Sequence, residues 1–402
     1  MSQATAAVTT ESPLPEGTSS RSVTAAYFAA FVAMGLTTAS LGPTLPGLAE
    51  NTQARLGKIS FLFMARSLGF LLGAFRGGKL YDRMPGHRVM AAMMMVMAAM
   101  MALVPAVPVL WALVAVMLAL GAAESTLDAG GNTLLVWAYG EKVGPLMNGL
   151  HFCYGLGAFI SPIIVAQVLS YRSGIALAYW SLALLVLPVA FWLLRLPGPT
   201  TQAASQRGAA GPVNYQLIAL VALLFFLYVG AEVSFGGWIY TYAVRLNLGS
   251  AKTAAYLTSA FWGSLTIGRL LAIPLAVRFR PRTILLADLL GGMVSIVVML
   301  LWPHSSTVVW LGTFGTGLAM ASIFPTTLSF AGRRMKITGQ TTGWFLVGAS
   351  AGAMTMPWLI GQLFESTGAR VTMLVILLSL AAATGVFAAL MRHSATPAAG
   401  GD

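Results

Sequence analysis

The sequence predicts an all-α membrane protein of twelve transmembrane helices, arranged as two pseudo-symmetric bundles of six. Three observations carry this. The 402-residue chain is 57% hydrophobic and only 8% charged, with a mean hydropathy of +0.81, and a soluble domain so poor in charge would expose large apolar patches. Hydrophobic runs of about 20 residues, enough to cross a bilayer's hydrocarbon core, recur twelve times. The two halves also register on each other at a single shift of 195 residues, pairing Gly35 with Gly230, Gly42 with Gly237, Gly73 with Gly268, Gly157 with Gly352 and Pro162 with Pro357.

Charges and Pro/Gly pairs cut the chain into spans near 23–46, 59–80, 87–106, 109–138, 145–169 and 173–195. The second set falls near 214–241, 254–278, 282–301, 307–330, 339–363 and 370–391. Between the sets, residues 196–213 (LPGPTTQAASQRGAAGPV) have the Pro, Gly, Ala and Ser content of a flexible linker. The chain thus reads as six-helix bundles at 23–195 and 214–391. Polar residues 1–22 lack the basic n-region of a signal peptide, so they are expected to be a disordered tail, with a second short tail at 392–402.

Net charge is +12, which invites a nucleic-acid reading. The basic residues are instead spread over short loops. Of the 23 Lys and Arg, fifteen fall in segments on one side, among them Arg76, Lys79, Arg83, Arg88, the Arg278–Arg282 cluster and the Arg333–Lys336 cluster. Six (Arg55, Lys58, Arg172, Arg245, Lys252, Arg370) fall on the other. That asymmetry is the positive-inside pattern, with both termini cytoplasmic in a cell inner membrane, and it leaves no nucleic-acid face. Cys153 is alone, so no intrachain disulfide is available.

Span four holds the densest chemistry. In GAAESTLDAGGNTLLVW (Gly121–Trp137), Glu124, Asp128 and Asn132 recur at i, i+4, i+8 and share one helical stripe. A carboxylate at bilayer depth costs at least about 2.5 kcal/mol, and two like charges one turn apart resist joint ionisation. The stripe is therefore expected to face a wet transport pathway, with Glu124 and Asp128 taking up a coupling cation. A proton suits a coupled carboxylate pair, and sodium suits the hard oxygens of Asp128 and Asn132; the residues leave both open. Glu232 in span seven is a third coupling candidate, and its neighbours Gly230, Gly236 and Gly237 would let that helix bend. Arg66 and Arg269 are the bases placed within spans, where gate or packing pairs are expected. Asp288 is expected to pair with an arginine of the preceding loop.

Between spans two and three the chain reads GGKLYDRMPGHR (Gly77–Arg88). This resembles the G-x-x-x-D-R-x-G-R-R signature of the major facilitator superfamily, with one extra residue and His87 in a basic slot. The resemblance implies that Asp82, with Arg83 and Arg88, forms an inner gate that docks near the start of span eleven and breaks as the gate opens. The counterpart loop has Val277 at the position of Asp82, so only one copy of the latch is expected. Within the superfamily, LDAGGNTLLVW (Leu127–Trp137), NGLHFCYGLGAFISP (Asn148–Pro162), YVGAEVSFGGWIYTYAV (Tyr228–Val244) and FWGSLTIGR (Phe261–Arg269) are similar to the fucose/galactose/glucose symporter group, above all its sodium-dependent glucose transporter-like branch. Fucose-type proteins carry an acidic residue in span one; here that span has only Thr37, Thr38, Ser40 and Thr44.

Sugar recognition needs hydrogen bonds to hydroxyls and an aromatic face under the ring. On the spans that line the cavity in this superfamily, the candidates are Asn132, Trp137, Asn148, His151, Trp238, Tyr242, Gln340 and Trp344, with Arg269 at a gate. No phosphate-binding loop, H-E-x-x-H, Cys cluster or G-x-S-x-G is present, so ATP-driven transport, an enzyme and a bound cofactor are not expected. The expectation is a monomeric secondary transporter that imports a monosaccharide with H⁺ or Na⁺ by alternating access. Its rivals are a proton-coupled exporter of drugs or metabolites and a non-transporting receptor.

Overall fold

A computed structural model describes residues 20–169, 171, 174–197, 214–335 and 337–393. The tails expected at 1–22 and 392–402 and the linker at 196–213 lie outside the described residues, apart from their edges. The described residues form helices and no strand.

Span one is α1 (Ser20–Thr38) followed by α2 (Leu41–Asn51), bent by 44°. A short α3 (Leu56–Ile59) leads into α4 (Phe61–Tyr81), and α5 (Gly86–Leu103), α6 (Leu110–Tyr139), α7 (Gly144–Val168) and α8 (Gly174–Arg195) complete the first half. The second half runs α9 (Tyr215–Arg245), α10 (Ala251–Arg278), α11 (Pro281–Leu301), α12 (Ser306–Met320) with α13 (Ile323–Gly332), α14 (Gly339–Thr367) and α15 (Val371–His393). Among the described residues, eleven helical segments are long and apolar enough to cross a membrane, and the bent pair, taken as one span, makes twelve.

Packing repeats between the halves. In the first, α1 lies on α7, α4 on α6 and α5 on α8; in the second, α9 lies on α14, α10 on α12 and α11 on α15. These are the same span pairs in each half. Three of the four glycine pairs that register at the 195 shift sit at those crossings, and the fourth, Gly42 with Gly237, lies between the halves. A Cβ on Gly157 would overlap the Val32 carbonyl oxygen, and one on Gly352 that of Phe226. Gly73 abuts Ala122, and Gly268 abuts Leu318 and Ala321. Small residues let transmembrane backbones approach, because lipid supplies no hydrophobic drive for helix association. Gly157→Ala is therefore expected to destabilise by about 1–3 kcal/mol through overpacking. Gly385→Ala, where nothing lies within 4 Å of an added Cβ, gains helix propensity of up to about 1 kcal/mol. Denaturation in detergent, compared between the two variants, checks this.

Two breaks were not where the sequence placed flexibility. Despite three glycines, α9 is one continuous helix of 31 residues. Its glycines serve contact instead: Gly230 faces Gly352 and Met356, Gly236 faces Trp262, and Gly237 faces Phe63. The bend falls in span one at Ala39–Ser40. There Thr37 and Thr38 hydroxyls bond back to Ala33 and Met34 carbonyls, 3.0 Å each, and Pro43 has no N–H to offer the preceding turn. Span ten breaks at Ala321–Ser322, just before Pro325.

The outer faces of α8, α11 and α15 expose Leu184, Val294 and Leu378 (67%, 62% and 69% exposed), as lipid contact requires. In the methionine-rich stretch 93–101 of α5, Met94, Met97 and Met101 are fully buried at helical spacing and act as core.

Candidate transport site

Glu124 leaves α6 and turns into the first bundle, where it is 3% exposed. Arg66 of α4 grips it with both ends of its guanidinium, Nε to Oε2 at 2.9 Å and Nη2 to Oε1. A third donor of Arg66, Nη1, reaches the Thr38 carbonyl oxygen at 2.9 Å, and the Thr38 hydroxyl donates to Glu124 Oε1 at 3.3 Å. Arg66 thus neutralises the carboxylate and patches a carbonyl freed where span one breaks. This corrects the expectation of a like-charged Glu124/Asp128 pair facing one chamber: Glu124 is paired and sealed.

Asp128 turns to Asn132 instead. The amide Nδ2 donates to Asp128 Oδ1 at 3.1 Å and to its backbone oxygen at 2.8 Å. Both residues are half-buried. One turn on, Gly131 abuts Phe31, whose ring lies 5.9 Å from that of His151 on α7; His151 itself is exposed. Among the described residues no three His, Cys, Asp or Glu side chains converge to hold a metal. A sodium ion at Asp128 and Asn132 would draw its other ligands from carbonyls, amides or water.

Across the interface, half-buried Glu232 of α9 meets the Tyr228 hydroxyl one turn away, and that hydroxyl also lies 3.0 Å from the Met320 carbonyl oxygen at the break in span ten. Arg269 of α10 acts electrostatically on Glu232, Tyr228, His151 and Tyr154, yet stands beyond 4.0 Å from any described carboxylate. Tyr154 of α7 lies within electrostatic reach of Glu124, Arg66 and Arg269. A polar belt thus runs from Arg66–Glu124 through Thr38 and Tyr154 to Arg269, Glu232 and Tyr228. Tyr154, one turn from His151, is where a cavity-lining residue was expected; Tyr228 and Thr38 were not expected there. The i, i+4 spacing of Tyr228 and Glu232 was a usable signal; nothing in the sequence tied Thr38 to Arg66.

Beyond this belt, away from the start of α1, the halves are shut. The Leu56 N–H donates to Glu365 at 3.0 Å, Gln362 donates to the Gly57 carbonyl at 2.5 Å, and Gly42 abuts Gly236 and Gly237. Trp238, expected to contact solute, is fully buried here. Its Nε1 donates to the Pro357 oxygen at 3.0 Å, and its ring stacks on Phe364 at 5.2 Å and meets Phe63 of the other half at 6.1 Å. Tyr242 is likewise fully buried, its hydroxyl unpartnered among the described residues. Both are parts of the closed end in this conformation.

At the opposite end, Asp82, Arg83 and Arg88 are exposed, and Asp82 makes no ion pair among the described residues. Gln340 and Trp344 at the start of α14 are exposed, Trp344 by 51%. Asn148 is exposed on the first turn of α7, and Trp137 is half-buried near the end of α6. Trp137, Asn148, Gln340 and Trp344 thus lie toward the end of the bundle that carries Asp82. His87 is not a basic member of the loop: it is 3% exposed, with Nε2 2.7 Å from Tyr27 Oη and Nδ1 2.9 Å from the Leu196 oxygen, joining spans one, three and six. Asp288 takes a hydrogen bond from Ser322 at the span-ten break, not an arginine of the loop.

The sequence profile of the Major Facilitator Superfamily matches residues 26–357. The chain belongs to the major facilitator superfamily. It is a membrane transporter and not an enzyme, and it handles a small molecule within a bilayer. It is 30% identical over 376 residues to sodium-dependent glucose transporter 1A of Mus musculus, covering 84% of this chain and 88% of that one. It is 27% identical over 447 residues to major facilitator superfamily domain-containing protein 4A of Pongo abelii, covering 86% and 87%. Among solved structures, a D-xylose-proton symporter superposes with a TM-score of 0.72 at 13% identity, covering 90% of this chain and 97% of that one. The nucleoside transporter NupG gives 0.72 at 14%, covering 94% and 99%. At those identities the superpositions speak for the fold alone.

Proposed function

We propose that this superfamily member is a secondary active symporter that carries a monosaccharide, such as a hexose, together with H⁺ or Na⁺ across the cytoplasmic membrane. The polar belt between the halves, with inter-half contacts made at one end and Asp82, Gln340 and Trp344 exposed at the other, is the observation that supports it. Hydroxyl donors and acceptors there (Asn132, His151, Tyr154, Arg269) suit a polyol. The exposed Trp344 and half-buried Trp137 offer flat faces for C–H groups. The relatives named for glucose transport over most of their length favour a hexose.

In the cycle, the cation occupies the Asp128/Asn132 group and raises affinity for sugar, since coupling requires each ligand to change the other's affinity. The halves rock about the belt: the contacts of Leu56 and Gly57 with Glu365 and Gln362 part as Asp82 docks. The end that carries Asp82 faces the cytoplasm, where both termini lie, and the chain works as a monomer. Uptake of a sugar panel into proteoliposomes, under a pH gradient and separately under a sodium gradient, tests this. The expected result is saturable accumulation of a hexose under one of them. Accumulation of no sugar under either, with efflux of labelled drugs from vesicles of opposite orientation, would establish the exporter instead.

A further inference from the structure

Two oxygens at hydrogen-bond distance need a proton between them. The Tyr228 hydroxyl stands at that distance from two oxygens at once, Glu232 Oε2 and the Met320 carbonyl oxygen. A tyrosine hydroxyl brings one proton, and a carbonyl brings none. If Glu232 were ionised, Tyr228 could satisfy only one contact and would face the other oxygen lone pair to lone pair. Tyr228 is fully buried, so solvent does not soften that repulsion. A protonated Glu232 carboxyl, in contact with Tyr228, would supply the second proton.

We propose that Glu232 holds a proton in this conformation, its carboxylic O–H donating to Tyr228 Oη while the Tyr228 O–H donates to the Met320 carbonyl at the break in span ten. The proton on Glu232 thereby ties span seven to the loosened turn of span ten, and its loss would leave that turn's carbonyl without this donor. Other charged groups fit this state. Arg269 on α10 acts on Glu232 but is not in ion-pair contact with it, so no guanidinium contact holds Glu232 ionised. Asp288 on α11 acts on Tyr228 and is occupied by Ser322. On α7, His151 and Tyr154 are within electrostatic reach of Arg269. The helices α2, α13, α14 and α15, which also pack on α9, carry no ionisable residue except Glu50, Glu365, Arg392 and His393 at their ends. Deprotonation would free Glu232 to pair with Arg269, which exchanges a proton for an internal ion pair and releases Met320.

This deepens the symport reading by assigning a proton to one carboxyl, and its test needs no solute. Infrared difference spectra of the purified full-length protein, titrated from neutral to alkaline pH, should show a protonated-carboxyl C=O band that disappears. Glu232→Gln should lose that band, Asp288→Asn should keep it, and Tyr228→Phe should shift its frequency because the acceptor is gone. A spectrum unchanged by Glu232→Gln overturns the assignment, and a band that Tyr228→Phe leaves unmoved overturns the link to span ten. If the band behaves as expected while no sugar accumulates in proteoliposomes, the proton site stands and the sugar reading falls.

Discussion

Replacing Arg66 with Met is expected to destabilise the protein by about 3–5 kcal/mol, because it strands the Glu124 carboxylate in a site that is 3% exposed. Restoring neutrality should recover most of that loss. In Arg66→Met with Glu124→Leu, two apolar side chains replace the ion pair, and such swaps are often near neutral. What remains is the Thr38 carbonyl, whose Arg66 donor at 2.9 Å is gone; an unsatisfied buried acceptor costs about 1–3 kcal/mol. The order of stability in detergent, wild type above double variant above single variant, is the measurement. A double variant no better than Arg66→Met would mean that the pair's electrostatics are not what holds spans one, two and four together. Transport by the double variant carries a second message. If it still accumulates sugar, coupling belongs to Asp128 and Glu232, and Glu124 serves the scaffold.

The split between what was readable and what was not follows from range. Twelve spans, their two-fold repeat and the loop at Asp82 are local or periodic, and hydrophobic length, charge asymmetry and the glycines at a 195 shift exposed them. Glu124 and Asp128 were visible as costly residues on one stripe, but a stripe does not say what faces it. Glu124 points at Arg66, 58 positions away in the chain, and Asp128 at Asn132, four away. Composition cannot separate those outcomes. Glycine misled for a related reason. In a soluble helix three glycines in eight residues would argue for a bend, whereas in α9 they make room for Phe63, Trp262 and Gly352 on other helices. Trp238 shows the same limit in reverse. An aromatic in span seven suits a sugar platform, but stacked on Phe364 with its N–H spent on Pro357 it closes one end of the pathway.

Asp128→Asn is expected to abolish uphill uptake while leaving the fold in place. The amide is nearly isosteric, and its Oδ1 can still accept from the Asn132 Nδ2 that now sits 3.1 Å away. Stability should move little, in contrast to Arg66→Met. What disappears is the charge. Thermodynamic coupling between cation and solute is typically 1–3 kcal/mol, or about 5–150-fold in affinity, and an amide at 128 can neither take a proton nor offer sodium a formal negative charge. Sugar should then equilibrate across the vesicle rather than accumulate, with counterflow exchange retained because the belt around Tyr154, Arg269 and His151 is untouched. Accumulation and counterflow, measured on the same vesicles, separate loss of coupling from loss of transport. Concentrative uptake surviving in Asp128→Asn would remove Asp128 from the mechanism and leave Glu232, on the opposite half, as the carboxyl that couples ion to sugar.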